Sequence, residues 1–231
     1  MPTVLAFDVY GTLIDTHGVV IKLQEYIGSK AEEFSRLWRE KQLEYSFRRG
    51  LMRSYENFGV CTSQALDYTN AYLDTGLSTE HKATLLAEYR GLPAFDDVKE
   101  SLVRLKADGH SLYAFSNGTA DAVETLLATA GIRDLFDGVV STDDRQTFKP
   151  NPDVYEYLLK ATSTSAANAW LISSNPFDVI GAVSYGLRSA WVQRTKNSIF
   201  DPWGIEPTHI ITSLRELASH IADSRAAPET A

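Results

Sequence analysis

Residues 4–15, "VLAFDVYGTLID", decide the fold. An apolar run from Val4 to Phe7 ends in a carboxylate, Asp8, with Gly11 and Thr12 just beyond it. A short apolar run bounded by turn residues is the pattern of a fully buried strand. Asp8 is then either a turn-former or a group held over a pocket at the strand's C-terminal tip. Further strand-like runs follow at "HSLYAFSN" (110–117), "DGVVST" (137–142), "NAWLISSN" (168–175) and "SAWVQR" (189–194), with "HIITS" (209–213) as a short sixth. Helical patterns lie between most of them. This alternation predicts a Rossmann-like α/β core, a parallel sheet covered on both faces. Ligands bind such sheets beyond the carboxyl ends of the strands, so chemistry is expected there.

One interval is out of proportion. Residues 16–96 carry four helical patterns, "HGVVIKLQEYI" (17–27), "AEEFSRLWREKQLEYSFRRGLM" (31–52), "SQALDYTNAYLD" (63–74) and "STEHKATLLAEYR" (78–90). About 80 residues exceed what a single crossover needs. The expectation is an inserted α-helical cap domain at 16–96 on a core domain built from 1–15 and 97–231. Pro93 marks the return, and "DVKESLVRLKADG" (97–109), with Gly109 at its stop, resumes the core. The tail "DSRAAPETA" (223–231) reads as frayed.

A chain of 231 residues with 44% hydrophobic content can bury a real core. Its formal charge of -8 argues against a nucleic-acid or anionic-membrane surface, and an anionic substrate would need local Arg or Lys. The single cysteine, Cys61, reads as a small half-buried hydrophobe and fits a reducing compartment. "MPTVLAFD" has no basic n-region, and no later apolar stretch is long enough to span a bilayer. The expectation is a cytoplasmic protein with neither nucleic acid nor membrane as partner.

Four strand ends are chemically loaded: Asp8 with Thr12, "SNGT" (116–119), Lys149 in "TFKPNP" (147–152), and "SSNPFD" (173–178). Each has a plain structural use. Asp8 can start a turn, Ser116 or Asn117 can cap the helix "ADAVETLLATAG" (120–131), and Asp178 suits a first helical turn. Taken together and in order, they resemble the signature of the haloacid dehalogenase superfamily: a first-strand Asp, a second-strand Ser or Thr, a Lys and a final acidic cluster. More narrowly the chain is similar to L-2-haloacid dehalogenases, through "FDVYGTLID", "LWREKQLEYSFRRGLM", "SNGT", "FKPNPDVYEY" and "SSNPFDVIGA".

Tyr10 separates two readings of that resemblance. Phosphatases of the superfamily carry a second Asp two residues after the nucleophile, as acid for the leaving alkoxide, and hold Mg²⁺. A phenol with a reference pKa near 10 is a poor substitute. Halide departs as a stable anion and needs neither acid nor metal. The resemblance therefore implies hydrolysis of L-2-haloacids, with haloacetates as further candidates, to 2-hydroxy acids without a cofactor. Asp8 attacks carbon, and water then opens the aspartyl ester. It implies that Asp178 activates the water, helped by Asn175 and Ser173, and that Lys149 pairs with Asp8 and Asp178 while Tyr155 positions them. Thr12, Ser116 and backbone N–H groups after Asp8 would receive the substrate carboxylate, and Arg39 and Asn117 the halide. Tyr10, Leu43, Phe58 and Phe177 would enclose the alkyl group.

Some of these residues have competing uses. Arg39 shares a helix face with Leu43 at i, i+4, yet neighbouring glutamates offer it a solvated ion pair. Tyr155 also belongs to an apolar stripe with Leu158 and Leu159. Glu40 stands where some relatives have Gln; it either weakens the grip on an anion or faces solvent. Phe34, Leu37, Trp38, Tyr45 and Phe47 give the helix from Ala31 more apolar surface than one internal face requires; the resemblance implies a homodimer through the cap, and internal packing is the alternative. The competing functions are a Mg-dependent phosphomonoesterase and a catalytically silent binding protein.

Overall fold

The computed structural model describes residues 3–226. Every strand-like run becomes a strand: β1 (Val4–Phe7), β2 (Ser111–Ser116), β3 (Gly138–Ser141), β4 (Ala169–Ser173), β5 (Arg188–Val192) and β6 (His209–Ile211). They form one parallel sheet in the order β3-β2-β1-β4-β5-β6. β1 is central because it is buried on both faces. Leu5 and Phe7 enter one core with Leu102 and Leu126, whereas Ala6 enters the other with Val154 and Leu158. Nine helices accompany the sheet in the described residues: α1 (His17–Ile27), α2 (Ala31–Met52), α3 (Phe58–Tyr72), α4 (Thr79–Glu88), α5 (Val98–Ala107), α6 (Ala120–Thr129), α7 (Pro152–Ala161), α8 (Pro176–Ser184) and α9 (Leu217–Ala226).

Two boundaries differ from expectation. Helix α3 starts at Phe58, ahead of "SQALDYTNAYLD", because the Asn57 side chain accepts the Val60 N–H at 3.1 Å and caps the earlier turn. Residues 223–226 of the tail read as frayed are the end of α9, whose Leu217 and Ile221 are buried; residues 227–231 lie outside the described residues.

Helices α1 to α4 all lie between β1 and β2. The chain leaves through Leu13–Asp15 and returns through Pro93–Phe95, and these segments pair: Asp15 N–H donates to Pro93 O at 2.9 Å, and Phe95 N–H to Leu13 O at 3.0 Å. Arg194, after β5, braces the junction. Its Nη1 donates to both Asp97 oxygens (2.9 and 2.8 Å), while Nε and Nη2 reach the Thr12 carbonyl (3.1 and 2.6 Å). Two of the large apolar residues of α2, Phe34 and Trp38, are used inside the protein, whereas Leu51 and Met52 at its end are exposed. Phe34 and Trp38 are buried with Leu23, Leu66 and Leu85, and the Trp38 indole donates to Thr62 O at 2.9 Å. Cys61 is buried. No helix among the described residues is long and apolar enough to cross a membrane.

Candidate active site

Asp8 is the first residue after β1, and the chain turns directly beyond it. Gly11 takes a φ of +79°, which side chains disfavour, and its N–H closes the turn on Ile14 O at 2.9 Å. Parallel register brings the ends of β2 and β4, with Ser116 and Ser173, to either side. Both Asp8 oxygens are engaged. Oδ2 accepts from Thr12 Oγ1 and Asn175 Nδ2, each at 2.8 Å, and Oδ1 from Lys149 Nζ at 3.2 Å. Lys149, 1% exposed, also donates to Phe115 O at 2.7 Å and Asp178 Oδ2 at 2.8 Å. Three N–H donors thus meet three acceptors, as a buried ammonium requires.

Asp178 lies in the first turn of α8, fully buried. Burial pushes its carboxyl up to about 6; Lys149 opposes this and the charge of Asp8 adds to it. Tyr155, from α7, donates to Asp178 Oδ1 at 2.8 Å. Burial and then the Asp178 charge raise its phenol well above the ordinary range, so it remains a proton donor in the hydrogen bond. The α8 backbone comes this close because residue 181 is glycine: a methyl there would stand 2.5 Å from the Tyr155 hydroxyl. The Tyr155 ring sits in the core beside Val154 and Leu158 while its hydroxyl rests on Asp178.

In front of this network is a cavity of about 10 Å³, the size of one water. Asp8, Ser116, Asn117, Lys149, Asn175 and Phe177 wall it from the strand ends, and Tyr10 closes one edge. Arg39 and Leu43 of α2 and Phe58 of α3 face them from the insertion. Thr12, Ser173, Asp178 and Tyr155 stand behind this wall. The Ser173 hydroxyl accepts Asn175 N–H at 3.1 Å, shaping the turn that aims Asn175 at Asp8.

Thr12 departs from expectation. It is fully buried, with its hydroxyl set between Asp8 Oδ2 (2.8 Å) and Ser174 Oγ (3.1 Å), so it attends Asp8 and has no access to a substrate carboxylate. Ser116 Oγ accepts Gly118 N–H at 3.1 Å and keeps its own proton for the cavity. Asn117 Oδ1 is taken by Lys149 N–H (2.9 Å) and Thr142 Oγ1 (3.2 Å), leaving its NH₂ end for an anion. Phe177 packs against Phe47 of α2, ring centroids 5.2 Å apart.

Arg39 is held by amides, not by a glutamate. Its Nη1 donates to Gln42 Oε1 at 2.7 Å and its Nη2 reaches Asn175 Oδ1 at 3.4 Å. Gln42, 2% exposed, passes the chain on from Nε2 to Thr62 Oγ1 at 2.5 Å. The sequence reading passes over Gln42; its signal is a buried amide three residues from Arg39 on one helix face. Glu40 pairs with Arg36 at 2.7 Å, its side chain 55% exposed, and so faces solvent. The Tyr10 hydroxyl makes no hydrogen bond among the described residues, and burial pushes its phenol up to about 12, still further from service as an acid. Among the described residues no three His, Cys, Asp or Glu side chains gather as a metal site. Between Asp8 and Asp178 stands an ammonium.

The family described as haloacid dehalogenase-like hydrolase matches residues 5–192. The (S)-2-haloacid dehalogenase of Pseudomonas sp. (strain YL) is 39% identical over 211 residues, 91% of this chain and 90% of that protein. Haloacetate dehalogenase H-2 of Moraxella sp. (strain B) is 33% identical over 94% of this chain and 97% of its own length. The solved L-2-haloacid dehalogenase of Xanthobacter autotrophicus with chloropropionic acid covalently bound aligns at a TM-score of 0.87 and 30% identity, covering 96% of this chain and 99% of that one. With sequence and fold matched over nearly their whole lengths, the chain belongs to the haloacid dehalogenase-like hydrolase family.

Proposed function

We propose that this chain hydrolyses L-2-haloacids to 2-hydroxy acids. The observation that carries the reading is the buried Asp8–Lys149–Asp178 row with Tyr10, a phenol pushed to about 12, where a phosphatase needs its acid. An Asp8 oxygen bonds to C2 while the carbon–halogen bond breaks and its electron pair leaves with the halide. Arg39 and the Asn117 NH₂ receive that anion. Ser116 and the backbone beyond Asp8 hold the substrate carboxylate, and Leu43, Phe58, Phe177 and Tyr10 exclude water around the alkyl group. Water then adds to the ester carbonyl and gives one proton to Asp178; the bond from the carbonyl carbon to the hydroxy acid's oxygen breaks, that oxygen takes the other proton of the water, and Asp8 is left as a carboxylate. Because Asp178 lies behind Lys149, this water comes in beside the ammonium, on the Oδ1 side of Asp8. The covalently bound chloropropionic acid of the Xanthobacter relative supports such an ester.

The helical insertion, residues 16–96, acts in this reading as a cap carrying the halide grip, and the rest of the chain as the core. A homodimer through the insertion fits the exposed Leu51, Met52 and Tyr72, which light scattering at working concentration checks. A cytoplasmic location fits the lone, buried Cys61.

The test of the function is a single turnover of L-2-chloropropionate in heavy-oxygen water with EDTA present. Chloride is released, the isotope enters Asp8 and is missing from the first lactate, and Asp8→Asn releases none. Label in that lactate, or phosphate-ester hydrolysis that demands Mg²⁺, overturns it.

A further inference from the structure

Beside the reaction cavity, across the rings of Tyr10 and Phe58, lies a cleft of about 440 Å³. Both rings line both spaces. The cleft runs between α3, the end of α4 and the first turn of α6, past Val60, Leu86, Thr119 and Ala122. Among its described lining residues Arg90 is the one charged side chain; it is exposed and makes no ion pair among the described residues. Tyr10, partly buried, packs against the main core. It has an edge contact with Tyr89, ring centroids 6.2 Å apart, and its hydroxyl makes no hydrogen bond among the described residues. Tyr10 lines both spaces, with Arg39 in the wall of the cavity and Arg90 in the wall of the cleft.

A cavity the size of one water admits no 2-haloacid unless a wall moves. Turning Tyr10 aside moves one side chain that no hydrogen bond among the described residues holds, and it joins the cavity to the cleft. The alkyl substituent at C2, enclosed by Tyr10 and Phe58, then points into the larger space. We propose that the cleft is a tail subsite, which receives the chain of 2-haloalkanoates longer than propionate and favours those ending in a second carboxylate, set at Arg90. A protein of net charge -8 repels a dianion, and the guanidinium of Arg90 in the wall of the cleft offsets that locally.

The proposal rests on the dehalogenase reading, and one experiment separates the two. Halide release from the L forms of 2-chloropropionate, 2-chlorohexanoate and 2-chloroadipate is measured for the wild type, Ala122→Trp, Val60→Trp and Arg90→Ala. The wild type takes all three acids. Each Trp variant lowers kcat/KM for the hexanoate about tenfold or more. Arg90→Ala lowers the adipate-to-hexanoate ratio about threefold, an effect that fades in high salt. All three variants turn over 2-chloropropionate within about twofold of wild type, which also shows that they fold. Hexanoate refused by the wild type, or taken equally well by both Trp variants, overturns the subsite while the dehalogenase stands. An unchanged adipate-to-hexanoate ratio in Arg90→Ala overturns the distal carboxylate. Refusal of 2-chloropropionate by the wild type overturns both.

Discussion

On the strand side of the cavity the Asp8 and Asp178 carboxylates have all four oxygens hydrogen-bonded, and Lys149 donates three times. On the insertion side a single cation, Arg39, is held by one firm bond to Gln42 and one long one to Asn175. The first wall is over-determined, as a group that must keep its charge and aim in a buried place has to be. The second has slack, which suits a surface that must part to admit a substrate and re-form around it.

That contrast predicts unequal responses to change. Lys149→Met leaves two carboxylates facing each other without a cation. The expected result is a fall in kcat of about 10³-fold or more and a loss of about 3 to 5 kcal/mol of stability, read by kinetics and urea titration. A variant as stable as wild type would show that the strand-side network is not strained by its own charges. Next comes pH. In the proposed reaction Asp178 works as a carboxylate, and its raised folded value means that this form is present above about 6 and is lost as pH falls through it. A kcat–pH profile should drop about tenfold per unit below that point, and a flat profile would remove Asp178 as the base. Gln42→Leu frees Arg39: kcat/KM falls about tenfold and chloride inhibits the product complex less, whereas Gln42→Glu keeps the acceptor and most of the affinity for chloride. Unchanged chloride inhibition in Gln42→Leu would show that Arg39 needs no support. Last, Glu40→Gln changes turnover less than about twofold, because Glu40 pairs with exposed Arg36 and faces away from the cavity.

The same contrast explains what could be read from the sequence. The strands were legible because β1 and its neighbours, buried on both faces, must be written as unbroken apolar runs. The strand-side residues followed, since parallel register carries Asp8, Ser116 and Ser173 to one edge whatever the intervening chain does. What escaped depends on tertiary pairing. Thr12 looked like a ligand donor because its spacing from Asp8 says nothing of Ser174, 162 positions away, which shares its hydroxyl. Gln42 carries no charge and belongs to no motif, and only its burial beside Arg39 gives it away. The brace from Arg194 to Asp97 and Thr12 joins three distant segments without a local signal. Helix α9 was missed because its apolar stripe, Leu217 and Ile221, is too sparse to outweigh the polar tail that follows.

The paired segments at Leu13–Asp15 and Pro93–Phe95 bring the two ends of the insertion side by side. A module whose ends meet can be exchanged for another of different size without rethreading the sheet. Chimaeras cut at these two segments would then inherit their bond-breaking chemistry from the recipient and their choice of molecule from the graft.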